Sequence, residues 1–174
     1  MRVVGVDPGQ SGGIALLSPR MVTAQVMPLL PKEDVKAAGS PIDWLALHDL
    51  LLSYAPDAVI IERVSAMPGQ GVSSMFRFGS NYGGLISAVQ GLALPHRLVV
   101  PRVWKKNVLG EEFSHDKAGS AAFVAHHHPE LSLLPTPRSK KPHDGMADAI
   151  CIAHYALTDH AKRMPGMWSP TRLR

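Results

Sequence analysis

The sequence holds one cysteine, Cys151, so an internal disulfide is excluded and a reducing compartment is expected. It holds no apolar run as long as a membrane span, so no membrane partner is expected. No basic segment followed by an apolar stretch precedes the first strand pattern. A secretion signal is therefore not expected, and the cytoplasm is the expected location. No internal repeat is present.

What the chain does have is 174 residues, 45% of them apolar, which suits one domain with a full core. Eighteen Lys and Arg against fourteen Asp and Glu leave a net charge of +4, and the pI is about 9.4. That balance fits a phosphodiester partner, and it fits an ordinary basic soluble protein equally well.

The hydrophobic pattern predicts strands over Arg2–Val6, Ile14–Leu17 and Met21–Met27, the first two joined by the glycine-rich turn 7–13. Residues 28–41, with three prolines and no period, read as a loop. Asp43 is expected to cap a helix with Leu47 and Leu51 on its apolar stripe, and Pro56 to stop it. Ala58–Ile61 reads as a central strand, 64–74 as a loop, 74–92 as a helix rich in small residues, and His96–Val100 as a strand. Helices are expected over Val103–Val108, Asp116–His127 and Asp144–Leu157, with a basic loop at 135–142. The predicted class is α/β: a mixed five-stranded sheet, its first three strands antiparallel, with helices on both faces. The domain is expected over residues 1–160, with 161–174 as a loosely ordered tail.

Four acids stand at the ends of these patterns. Asp7 closes the first strand, Glu62 closes the fourth, and Asp144 and Asp148 lie one helical turn apart at the start of the last helix. Strand C-termini in open α/β sheets are where ligands bind. Carboxylates beside core elements are costly unless a cation compensates them, so a hard divalent ion, and with it phosphate chemistry, is the reading of the four together. Each residue has a plainer role open to it. Asp7 could start a turn, Glu62 could pair with Arg63, Asp144 could be an N-cap, and Asp148 could answer the helix dipole.

Val3-Val4-Gly5-Val6-Asp7-Pro8-Gly9, Val59-Ile60-Ile61-Glu62, Pro101-Arg102-Val103-Trp104-Lys105 with Lys117 further on, and His143-Asp144-Gly145-Met146-Ala147-Asp148-Ala149 together resemble RuvC-type Holliday junction resolvases of the RNase H-like superfamily. The resemblance covers about residues 1–157, and Met67-Pro68-Gly69-Gln70-Gly71 is most similar to the phage and prophage branch. It implies an RNase H-like sheet, a homodimer in a bacterial host cell, and paired nicking of four-way DNA junctions with two Mg2+ or Mn2+ ions per site. No nucleotide cofactor is implied. At matched positions it implies Asp7, Glu62, Asp144 and Asp148 as metal ligands, and Lys105 and Lys117 as basic groups near the scissile phosphate or the junction backbone. The bacterial pattern spaces the last two acids three apart, whereas here they are four apart. His143 therefore stands beside Asp144 as a candidate ligand, and Asp144 is favoured because a carboxylate suits magnesium better than imidazole does.

The loop after Glu62 is expected to lie over DNA, with Met67, Gln70 and Phe76 as contacts: Gln70 for a base edge, an apolar side chain as a wedge. Phe76 could instead join Met75 and Phe78 on the core face of the following helix. Lys105, Lys106, Lys117, Arg138, Lys140 and Lys141 are candidates for a phosphate track, solvated surface charge being the alternative for each. Three consecutive histidines, 126–128, cannot converge on one ion and read as a helix end favoured by the dipole when protonated. Rival functions are an RNase H-like nuclease for other branched DNA or RNA–DNA hybrids, and a non-catalytic junction-binding protein.

Overall fold

A computed structural model of the chain describes residues 1–65, 69, 71–113 and 118–162. Five strands, β1 (Val3–Asp7), β2 (Gly13–Leu17), β3 (Val22–Val26), β4 (Ala58–Glu62) and β5 (His96–Val99), form one sheet in the order β3-β2-β1-β4-β5. The first three are antiparallel neighbours, and β4 and β5 run parallel to β1. The mixed five-stranded sheet read from the sequence is the observed one.

Helices α2 (Trp44–Tyr54) and α3 (Val72–Gly91) cover one face, where Val4, Val6, Ile14, Leu16, Val59 and Ile61 pack with Leu47, Leu51, Leu85 and Val89. On the opposite face Val3, Ala15, Leu17, Ile60 and Val99 pack against α4 (Pro101–Val108), α6 (Gly119–His127) and α7 (Asp144–Tyr155). Both faces of the central strands are thus buried, which is why their sequences are continuous apolar runs. Asp43 caps α2 by accepting from the Ala46 amide at 2.9 Å. The helix ends at Tyr54 with Ala55 left-handed (φ 41°), immediately before Pro56, which disfavours the helical region for the residue ahead of it.

Helix α7 is buried on almost every side, and close backbone contact fixes its position. A Cβ on Gly5 of β1 would meet the Ala149 carbonyl oxygen and the Ala153 amide of α7 far inside van der Waals contact. One on Gly13 would do the same with Gly145, and one on Gly145 with Ser11 and Gly12. Glycine on both sides of the seam removes the side chains that would hold the helix off the sheet.

Some expectations are corrected. The 28–41 segment contains α1 (Lys32–Ala38), which follows Pro31 and stops at left-handed Gly39 (φ 70°). Among its described side chains only Val35 is even partly covered, so no hydrophobic period marks it. Helix α3 starts at Val72, two residues earlier than expected. A short helix α5 (Gly110–Phe113) precedes α6, and α8 (Asp159–Lys162) follows α7. Residues Ala161 and Lys162, assigned to the tail, belong to α8, and the buried Ala161 carbonyl accepts from Arg97 Nη1 at 3.2 Å. The rest of that tail lies outside the described residues. Among the described residues, no helix is long and apolar enough to cross a membrane.

Candidate active site

Val6 pairs with Ile61 across the parallel β1–β4 ladder, so the residues that follow them, Asp7 and Glu62, end adjacent strands side by side. Side chains alternate faces along a strand, and Val3 and Ile60 point to the α7 face; Asp7 and Glu62 therefore point there too. Gly13 and Gly145 touch backbone to backbone at the same end of the sheet, so the first turns of α7 arrive beside Asp7. Asp148 is half-buried there, and Asp144, the first residue of the helix, is exposed.

The electrostatics couple Asp7, Glu62 and Asp148, and Asp144 adds its charge to Asp148. Burial pushes Asp7 up to about 8, and the charges of Glu62 and Asp148 push the same way while Lys105 opposes them. Glu62 is also raised by burial, with the Trp104 hydrogen bond and Lys105 pulling it down and Asp148 pushing it up. Asp148 is raised by burial, eased by a hydrogen bond from Ser120 and by Lys105, and raised by Asp144. Three acids held above their ordinary range by burial and by one another are short of positive charge. Among the described residues none of the four acids has an ion-pair partner within 4 Å.

A hard oxygen-donor set of this kind fits Mg2+ or Mn2+ in its chemistry. Among the described residues no three side chains of His, Cys, Asp or Glu close on a common point as a ready-made cage. That is compatible with magnesium, which keeps several waters and takes one or two carboxylates per ion. The plainer alternatives fare unevenly. Glu62 does not pair with Arg63; it accepts from the indole of Trp104 at 2.7 Å. Asp144 is not the N-cap of α7. That role belongs to His143, whose Nδ1 accepts from the Met146 amide at 3.3 Å.

Lys105 lies on α4 with its ammonium 5.2 Å from the Trp104 ring centroid, and its charge reaches Asp7, Glu62 and Asp148. Lys106, on the same helix, is exposed. Arg138, Lys140 and Lys141 are exposed in a loop closed at its base by the His143 amide donating to the Leu133 carbonyl at 2.9 Å, so the loop is tethered to the residue before Asp144. Phe76 projects from α3 at 76% exposure and is not a core residue, whereas Phe78 is half-buried. Met67, Gln70 and Lys117 lie outside the described residues.

Sequence reasoning missed Trp104 and Ser120 as partners of the acids. Trp104 stood within a quoted motif, but nothing local says that its N–H points at Glu62; Ser120 left no signal. The histidine expectation is corrected in part. His126 and His127 do end α6, but His128 is held below its ordinary pKa by burial, so the neutral form is favoured there against the dipole. Its Nε2 lies 2.7 Å from Nε2 of His154. Cys151 is a buried core thiol, pushed up to about 12 by burial.

No family model matches the chain, and no curated protein does. Solved structures do. Thermus thermophilus RuvC matches over 90% of this chain and 93% of its own, at 22% identity and a TM-score of 0.56. The T. thermophilus RuvC in complex with Holliday junction substrate matches over 94% and 96%, at 16% identity and 0.60. The yeast mitochondrial Holliday junction resolvase Ydc2 matches over 88% and 76%, at 12% identity and 0.51. The strand order, the antiparallel start and the helices on both faces thus make this chain an α/β protein with the RuvC-like, RNase H-like fold.

Proposed function

We propose that the chain is a metal-dependent endonuclease that resolves four-way DNA junctions by paired phosphodiester nicks. The observation that carries this is the placing of Asp7, Glu62 and Asp148 at the C-terminal edge of the sheet, mutually repelling and opposed, among the described residues, by the charge of Lys105. The likeness of the fold to solved resolvases, one of them in complex with a Holliday junction, supports the choice of substrate.

Asp7, Glu62 and Asp148 would hold Mg2+ or Mn2+, with Asp144 at the exposed mouth. The metal, when bound, would supply Lewis-acid stabilisation of the phosphodiester oxygens and a more acidic water. The remaining work falls to the protein. Lys105 offsets the acid cluster and presents an ammonium to an incoming phosphate. Arg138, Lys140 and Lys141 engage the DNA backbone beside the site, together with Lys106 and Lys117. Phe76 offers an apolar ring to an unstacked base step, and Met67 and Gln70 are the further contacts proposed there. Two nicks on opposed strands need two copies of the site, so the working form is a homodimer.

Cleavage-site mapping on a mobile synthetic four-way junction, with flap and RNA–DNA hybrid substrates alongside, tests the reading. Symmetric paired nicks on the junction, dependent on Mg2+ and abolished by chelator and by Asp7→Asn, are expected, with junction binding retained by Asp7→Asn. Equal cleavage of flaps or hybrids would move the assignment to a broader nuclease, and binding without cleavage would remove the enzymatic one.

A further inference from the structure

We propose that Trp104 is a positioning residue for the metal site: its indole N–H locks Glu62 in the orientation that leaves the second carboxylate oxygen free to meet a divalent ion. The inference rests on the nuclease reading above. Trp104 is fully buried, and a buried indole N–H needs an acceptor. The acceptor is Glu62 Oε2 at 2.7 Å, the short distance of a charge-assisted bond.

The geometry separates the two oxygens of Glu62 by role. Oε2 is tied to a donor that cannot move without opening the core, because Trp104 packs in the cluster that joins α4 and α7 to the sheet. Glu62 ends β4 beside Asp7, so the torsions the bond fixes decide where its other oxygen stands relative to that neighbour. A glutamate otherwise loses considerable rotamer freedom on being ordered, and a preset donor removes part of that loss from the binding step. Lys105, next in the chain, lays its ammonium over the same indole, so one turn of α4 delivers both the orienting donor and the neighbouring positive charge. Outer-layer hydrogen bonds of this kind orient metal-binding carboxylates elsewhere, and their loss typically weakens metal binding about 10- to 100-fold.

Trp104→Phe keeps a large ring and deletes the donor. Binding of Mn2+, followed through the electron paramagnetic resonance of the free ion, is expected to weaken about tenfold or more in the variant. A second measurement needs no variant that must fold. Among the indole N–H resonances of the intact chain, that of Trp104, and not that of Trp44, should shift as Mg2+ is added. Unchanged Mn2+ affinity in a folded Trp104→Phe, or a Trp104 resonance indifferent to saturating Mg2+, overturns the inference and leaves the nuclease reading standing. Failure of the unaltered chain to bind Mn2+ overturns both.

Discussion

Asp7 carries the largest electrostatic strain among the site's acids. Its carboxyl titrates near 3.8 in an unfolded chain and at about 8 in the native one. Between those values the native state holds the extra proton, so stability falls as pH rises from about 4 to about 8 and is flat above. Asp7→Asn should therefore stabilise the metal-free chain at pH 8, by roughly 2 kcal/mol after allowance for solvent screening, with the gain shrinking towards pH 4. Urea unfolding with chelator present, at two pH values, checks it. His154 behaves in the opposite sense. Burial, with His128 and His127 adding to it, lowers its pKa from 6.5 to about 4. The unfolded chain binds that proton first, so stability is lost as pH falls from 6.5 to about 4, by up to about 3 kcal/mol. His154→Gln should flatten this acid limb in a pH series of thermal melts. At this scale the sequence was legible where a charged residue interrupts an apolar run, as Asp7 and Glu62 do. It was silent on Trp104 and Ser120, whose partners lie 42 residues and a helix away respectively, and are set by packing rather than by pattern.

Among the elements, α7 matters most. Its run Gly145-Met146-Ala147 and its alanines are read easily as a close-packing helix, and Gly5 shows how close. Gly5→Ala would drive a methyl into the Ala149 carbonyl and the Ala153 amide, neither of which can yield as a side chain would. A loss of about 3 kcal/mol or more is expected by chemical denaturation, with failure to fold as the extreme. Cleavage by any residual folded fraction should fall too, because the shift would separate Asp148 from Asp7. Helix α1 teaches the converse lesson. It is short, its surroundings are solvent, and the prolines about it looked like a loop; with almost nothing to bury, there was no period to read. Strands buried on both faces, by contrast, could hardly be mistaken once their runs were bounded by turns.

For the molecule as a whole, the acid cluster lies at one edge of the sheet and the exposed basic loop 135–142 returns to that same edge through His143. A mildly basic chain thus brings its negative centre and a set of positive side chains together, as a bound phosphodiester would require. Replacing Arg138, Lys140 and Lys141 together by alanine should weaken junction binding without regard to arm sequence. The slope of log K against log salt should become shallower by about 2 to 3. Fluorescence anisotropy across a salt series, in Ca2+ or chelator to prevent cleavage, measures it. An unchanged slope would place the DNA elsewhere.

The glycine seam has one more implication. Where peptide meets peptide with no side chain between them, the separation of strand and helix is set by atomic radii and bond lengths instead of by rotamers that thermal motion can exchange. The backbone spacing between β1 and α7, on which the strand-borne and helix-borne acids are mounted, is then fixed in advance. On the metal-site reading proposed above, an ion whose preferred span did not match would have to distort its own shell, and the scaffold would then discriminate between small and large divalents before any of them arrives.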